Sequence, residues 1–422
     1  MQITIDPSEV KGLIRAPSSK SMTQRAIAAA LLADGESTII NPSYCNDSLA
    51  SIDIAGGLGA HIRPEPGKMK INGTQGFLKD HVLNCGESGL AIRMFSPVAA
   101  LFSGEIIMDG KGTLKSRPMK MIEDTLNQLG VKCSSKDGFL PLTIKGPLKG
   151  GTCETDGSVS SQLLTGLLMA LPAAPDNSIV KVINLKSRPY IDMTIQVLSK
   201  FGVKVVNDNY RTFTINGNQK YKPAYFEVES DWSGGAFLMV AGAINGDVVV
   251  EGLRTDSRQS DKAILTALDK AGARMSISED SVKISKSELR AFEFDATDSP
   301  DLFPPLAALA SYCRGVTGIK GATRLFHKES DRAKALVEEF GKMNIKVTIN
   351  EDYMLITGGE VKEAVVDSHH DHRIAMAAAV ASLRASGPVS ITNPECIAKS
   401  YPGFYEDLRS LGAVIHETRS HS

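Results

Sequence analysis

One short pattern, a helix end followed by a turn residue and a strand, recurs six times along the chain and limits its fold more than any other feature. It reads LGAHI from Leu58, LGVKC from Leu129, FGVKV from Phe201, AGARM from Ala271, MNIKV from Met343 and LGAVI from Leu411, at spacings of 68 to 72 residues. A second series keeps step with it and marks the start of the helix ahead of each: Asp47, Arg117-Pro118, Arg188-Pro189, Asp261, Asp331 and Pro402-Gly403. Proline just inside a helix start is favourable, because its missing N–H is not needed there. A third series, Lys20, Gly89, Ser161, Ser233, Asp301 and His372, precedes or opens an apolar helix each time. A period of ~70 residues is too long for a solenoid repeat. Six such units fit two domains of three units each.

Each unit reads as helix, strand, helix, strand, with further strand between. Ile191, Ile195, Leu198 and Phe201 form one apolar helical face. The runs AIAAALLA and LLTGLLMALPAA are apolar nearly all round, and such a helix belongs in an interior. Helices inside and sheets outside invert the usual α/β layering. The strand Gln2 to Ile5 precedes the first unit and is placed to complete the last. The chain is therefore expected to cross into a second domain near Ile14 and return near Val228. Domain I would be residues 1–14 plus 228–422, and domain II residues 15–227.

Formal net charge is −1, with 42% hydrophobic and 23% charged residues. That describes a globular protein and argues against a globally basic nucleic-acid binder. The six cysteines are scattered, with no CxxC and no zinc spacing, so they read as buried small residues in a reducing compartment. The start, MQITIDPSEVKG, has no apolar core, and no run approaches the ~20 apolar residues of a membrane span. The expectation is a cytoplasmic protein.

The stretch SSKSMTQR, Ser18 to Arg25, puts cations where the positive end of a helix dipole disfavours them. If the six units are equivalent, several helix starts face one space, which suits a polyanionic ligand. The candidate cations are Lys20, Arg25, Arg117, Lys328, Arg332, Arg373 and Lys399. In HKESDR, residues 327 to 332, Lys328 and Arg332 stand four apart. On a helix they would share a face and repel unless an anion lay between them. The run His369-His370-Asp371-His372 could bind metal, but consecutive residues at a helix start diverge. No metal site is expected.

SKSxxxR at Ser19 to Arg25, DGSVSSQ at Asp156 to Gln162, KESDR at Lys328 to Arg332, DHR at Asp371 to Arg373 and AKSYPGF at Ala398 to Phe404 occur in that order. Together, over essentially the whole chain, they resemble the 5-enolpyruvylshikimate-3-phosphate synthases. The resemblance implies a two-domain α/β fold of three βαβαββ units per domain, buried helices and outward-facing sheets, of the inverted α/β barrel type. It implies an active site in the cleft between the domains. The implied reaction transfers the enolpyruvyl group of phosphoenolpyruvate to the 5-hydroxyl of shikimate 3-phosphate, on the pathway to chorismate and aromatic amino acids. It proceeds by addition and elimination, and releases phosphate. By resemblance, Lys20 touches both substrates. Ser21, Arg25, Ser160, Ser161, Ser187 and Tyr190 bind shikimate 3-phosphate, with Gln162 between the two. Gly89, Arg117, Arg332, Arg373 and Lys399 bind phosphoenolpyruvate. Asp301 is the base on the 5-hydroxyl with Lys328 beside it, and Glu329 moves the proton at the methylene carbon. No metal or organic cofactor is implied, and a monomer is expected.

The chain departs from the family pattern at Leu90 and Met94, where Thr and Pro are usual, at His327, and at Arg324, where some members carry Asn. A rival sharing fold and chemistry is UDP-N-acetylglucosamine enolpyruvyl transferase. That family often carries a Cys in a mobile loop, and Lys111 to Ser116 has none. An RNA-phosphate cyclase or nucleic-acid binder built from similar units fits poorly with near-zero charge and 6% aromatic residues. A purely structural interaction protein would have no need of Asp301 and Glu329 among so many cations.

Overall fold

The second repeat shows the building block whole. In the computed structural model of the chain, which describes residues 1–326 and 328–418, strand Val82–Asn84 leads into α3 (Gly89–Ala99). Strand Glu105–Asp109 then leads into α4 (Lys120–Gln128), and strands Lys132–Lys136 and Phe139–Lys145 close the unit. The first two strands pair in parallel and the rest antiparallel, in the spatial order first, second, fourth, third. His327, which opens HKESDR, lies outside the described residues.

The same order recurs in the third repeat, around α5 (Gln162–Ala170) and α6 (Arg188–Lys200). The first repeat carries α1 (Lys20–Leu32) and α2 (Asn46–Gly57). It takes its outer strand from a distance: Tyr225–Glu227 lies parallel to Glu36–Ile40. The last repeat is finished by the N-terminus, as the sequence suggests. Strand Gln2–Asp6 sits between Val389–Thr392 and Val414–Thr418, antiparallel to both.

The chain packs as two compact units, Met1–Pro17 with Glu229–Ser422, and Ser18–Val228. The first crossing falls at Pro17 rather than at residue 14. Strand Val10–Arg15 stays in register with Gly246–Glu251 up to Arg15, which binds those residues to the N- and C-terminal unit.

Within 18–228, α1, α3 and α5 are buried along nearly their whole length. A Cβ on Gly166 would lie 2.7 Å from the carbonyl oxygens of Arg93 and Met94. Only glycine lets α5 approach the α3 backbone so closely. Strand Ser178–Ile183 alternates buried and exposed, so one sheet face covers the helices and the other meets solvent. In the other unit α7 (Trp232–Asn245), α9 (Phe303–Ala310) and α11 (His372–Ser382) fill the interior. The second helix of each repeat there, α8 (Ile264–Lys270), α10 (Arg332–Lys342) and α12 (Phe404–Ser410), buries one side only. The helices-inside layering read from the sequence is the observed one. All six cysteines are unbridged thiols. Among the described residues, no helix is long and apolar enough to cross a membrane.

Candidate active site

Residues just ahead of the third series cap four of the six buried helices. Side chains of Ser19, Ser88, Asp231 and Asp371 accept from first-turn N–H groups of α1, α3, α7 and α11, which otherwise lack partners. The candidate cations sit on or beside these capped ends.

In the unit 18–228, Lys20 opens α1 and its Nζ meets Asp47 Oδ2 at 2.7 Å. Arg25, one turn further in, is 1% exposed. Its Nε donates to Thr194 Oγ1 at 2.9 Å, Nη1 to the Ser21 carbonyl at 3.0 Å, and Nη2 to Thr165 Oγ1 at 3.4 Å. The guanidinium lies 6.0 Å from the Tyr190 ring centre. Among the described residues no carboxylate pairs with it, and burial pushes its pKa down to about 10. It stays charged at neutral pH. A buried cation faced only by neutral groups is costly unless an anion joins it. Arg117 follows the 3-10 turn Gly112–Ser116, and its buried Nε has no hydrogen-bond partner among the described residues. Its guanidinium lies against Gly89. A Cβ there would come within 2.5 Å of Nη1 and 2.9 Å of Cζ, so glycine is what makes room for it. Ser160 Oγ accepts from the Gln162 N–H at 3.1 Å at the start of α5. Gln162 Oε1 accepts from Arg93 Nη1 at 3.0 Å. Ser161 and Ser187 are the N-cap residues of α5 and α6.

The other unit gathers the acids. Asp301 lies in the 3-10 turn Pro300–Leu302 leading to α9. Three cations ring it: Arg332 Nη1 at 2.9 Å, Arg373 Nη2 at 3.3 Å and Lys328 Nζ at 3.4 Å. Burial works to raise its pKa, but Arg373, Lys328 and Arg332 outweigh it and hold the carboxyl well below the usual range. Burial lowers Lys328, against the pull of Asp301. Arg332 is fully buried. Its Nε and Nη2 donate to the two oxygens of Asp371 at 2.9 and 3.1 Å, and Nη2 also to Glu329 Oε2 at 2.5 Å. With Nη1 on Asp301, one N–H of the five is left over. Asp371 further accepts from Ser330 Oγ and from the Arg373 N–H, each at 3.0 Å. One carboxylate thus fixes the Arg332 side chain and the helix start that carries Arg373. Lys399, 6% exposed, ends the 3-10 turn Pro394–Lys399.

One sequence expectation changes. Lys328 and Arg332 do not share a helix face, because α10 begins only at Arg332. They converge on Asp301, so the anion between them belongs to the protein. The four residues from His369 diverge: His369 Nε2 meets Glu339 Oε1 at 2.7 Å while Asp371 turns to Arg332. The Glu339 oxygens also take Lys342 and the Asp367 N–H.

Several participants escaped sequence reasoning. Asp47 stood in the helix-start series without a site role. Arg93, 2% exposed, reads as one more helix residue. Asp261 is buried, accepts from Ser233 Oγ through Oδ2, and has no partner for Oδ1 among the described residues. Burial and nearby Asp301 push its pKa up to about 7. A partner 20 or more residues away in sequence leaves no local spacing signal.

Residues 5–408 match the family described as EPSP synthase (3-phosphoshikimate 1-carboxyvinyltransferase). A Clostridium perfringens (strain SM101) protein named 3-phosphoshikimate 1-carboxyvinyltransferase is 39% identical over 424 residues, covering 99% of each chain. One of the same name from Clostridium acetobutylicum is 40% identical over 422 residues, covering 98% of each. A solved EPSP synthase from Acinetobacter baumannii matches with a TM-score of 0.83 at 28% identity, over 99% of this chain and 100% of that one. The enolpyruvyl transferase NikO from Streptomyces tendae, 18% identical with a TM-score of 0.79, covers 99% of this chain and 98% of its own and shares the fold.

Proposed function

The chain belongs to the EPSP synthase (3-phosphoshikimate 1-carboxyvinyltransferase) family, and from that premise we propose how its residues carry the reaction. The enzyme transfers the enolpyruvyl group of phosphoenolpyruvate to the 5-hydroxyl of shikimate 3-phosphate in the shikimate pathway. Each substrate brings a carboxylate and a phosphate, roughly −3 in charge near neutral pH. Holding both in one place requires concentrated positive charge, and helix starts of the chain carry the candidate cations.

Shikimate 3-phosphate binds through Arg25, Lys20, Ser21, Ser160, Ser161, Ser187 and Tyr190. Arg25 supports this best: it is a buried cation with neutral partners, held in a fixed orientation. Phosphoenolpyruvate binds through Arg117, Gly89, Arg373 and Lys399, with Gln162 beside it. Arg332 acts first as the clamp that orients Asp301 and Glu329, and its remaining Nη1 hydrogen meets a phosphoenolpyruvate oxygen.

The single observation that carries the chemistry is Asp301 ringed by Lys328, Arg332 and Arg373. In that state the carboxylate is a weak base. Two arriving polyanions offset the cations around it and raise its pKa. A unit charge at 4 Å is worth about 4 kcal/mol at an effective dielectric constant of 20. Asp301 then accepts the 5-hydroxyl proton as the oxygen attacks C2 of phosphoenolpyruvate. Glu329 delivers a proton to C3, giving a tetrahedral adduct. Loss of phosphate, with a C3 proton returning to Glu329 and the proton held by Asp301 passing to the departing phosphate, leaves the enol ether. Every step uses side chains alone. The protein acts as a cytoplasmic monomer in this reading.

Phosphate release from phosphoenolpyruvate tests the assignment. It should occur with shikimate 3-phosphate as acceptor and not with UDP-N-acetylglucosamine. The reverse preference would overturn it.

A further inference from the structure

The Arg25 guanidinium is held by two threonines, and their hydrogen bonds admit only one proton arrangement. Thr194 Oγ1 lies 2.8 Å from the Tyr190 carbonyl, which can only accept, so the Thr194 hydroxyl donates there. Thr194 Oγ1 must then accept from Arg25 Nε at 2.9 Å and from the Thr165 hydroxyl at 3.1 Å. The Thr165 hydrogen being used, its oxygen accepts from Arg25 Nη2 at 3.4 Å. Both threonines are fully buried. They project from α5 and α6, the helices that Ser161 and Ser187 cap.

We propose that Thr165 and Thr194 are positioning residues for shikimate 3-phosphate binding: an uncharged cradle that aims Arg25 and leaves its charge for the ligand. The inference rests on reading Arg25 as a shikimate 3-phosphate ligand. A hydroxyl accepts a guanidinium N–H without offsetting its charge, whereas a carboxylate at the same place would neutralise it. The contrast within this chain is Arg332, whose three carboxylate partners offset its charge. The Tyr190 carbonyl ties the cradle to the first turn of α6, so Arg25 and the Ser187–Tyr190 segment are set together.

The test is calorimetric binding of shikimate 3-phosphate to Thr194→Val, Thr194→Ser and Arg25→Lys, with the KM for phosphoenolpyruvate measured alongside. Valine keeps the shape and removes the acceptor, leaving buried Arg25 Nε unpaired. Shikimate 3-phosphate affinity should fall about tenfold or more in Thr194→Val, as for an orphaned buried donor, with a smaller change in the KM for phosphoenolpyruvate. Thr194→Ser should restore binding. Thr165→Val, which removes the weaker contact, should give a smaller loss of the same kind. Should Thr194→Val not fold, Thr165→Val and the Arg25 Nε–H resonance of the wild type carry the test. That proton should exchange slowly without ligand and shift when shikimate 3-phosphate binds. Unchanged affinity in Thr194→Val with loss in Arg25→Lys would overturn the cradle alone. Unchanged affinity in both would overturn the reading of Arg25 and the cradle with it. Failure of Thr194→Ser to restore binding would mark the role as packing and overturn the proposal.

Discussion

Two buried arginines divide the work at the level of single residues. Arg332 is paired with Asp371, Asp301 and Glu329, and Arg25 with none of the described carboxylates. In the proposed reading the first orients acids and the second waits for an anion. Replacing Asp301 with Asn or Glu329 with Gln keeps size and removes the proton acceptor. Turnover in phosphate release should drop by about 100-fold or more, the usual contribution of a general acid–base group. Calorimetric binding of shikimate 3-phosphate should change far less. Near-normal turnover in Glu329→Gln would remove that residue from the route. Asp261 gives a pH prediction of defined sign. Its folded pKa, pushed up to about 7 by burial, exceeds the ordinary carboxyl value, so its stabilising share is full in acid and lost as pH rises through 7. Asp301, held well below 3.8 by Arg373, Lys328 and Arg332 against burial, acts oppositely, and its share is lost only as pH falls below that value. The denaturation midpoint of the wild type should decline relative to Asp261→Asn between about pH 4 and 7. A constant difference would contradict the buried neutral form. Lys20 and Asp301 were legible because they recur in phase with the repeat, and Arg25 because it is a cation one turn inside the helix start that Lys20 opens. Asp47, Thr165 and Thr194 were not, since each matters only through a partner the fold brings to it.

Among elements, the helix starts carry most of the candidate residues. α1, α5 and α6 present Lys20, the Ser160–Gln162 turn and the Ser187–Tyr190 turn, so shikimate 3-phosphate alone should slow amide exchange in the peptides covering those three starts. Protection spread evenly over the outer sheets instead would contradict the assignment. Gly89 is the other sensitive point. An alanine there must push aside the Arg117 guanidinium, which a Cβ would approach to 2.5 Å. Gly89→Ala should raise the KM for phosphoenolpyruvate several-fold with little effect on shikimate 3-phosphate binding, as expected when one charged contact is moved. Most of the element order was readable, because a repeat of fixed phase gives six chances to see each boundary. The exceptions have local causes. Only the last residue of KESDR, Arg332, lies in α10, as Asp331 caps the helix through the Lys334 N–H. Tyr225–Glu227 is too short to announce that it completes a sheet begun at Glu36.

At the scale of the whole molecule, each unit has its own hydrophobic core, and the candidate residues are shared out between the units. The Arg25 set belongs to 18–228 and the Asp301 set to the rest of the chain. No step uses a thiol. Burial pushes Cys133, Cys153, Cys313 and Cys396 up to about 12, so alkylation of the native protein should leave activity intact. Loss of activity from one modified cysteine in a folded protein would favour the rival transferase. The central claim is an addition and elimination between phosphoenolpyruvate and shikimate 3-phosphate. Its most direct test is the mass spectrum of the product formed in D2O. Addition and elimination should give an enolpyruvyl ether on the 5-oxygen, one phosphate released per product, and deuterium in the methylene, placed when C3 is protonated and kept when phosphate leaves. A product with no deuterium in the methylene, or none formed from shikimate 3-phosphate at all, would contradict it.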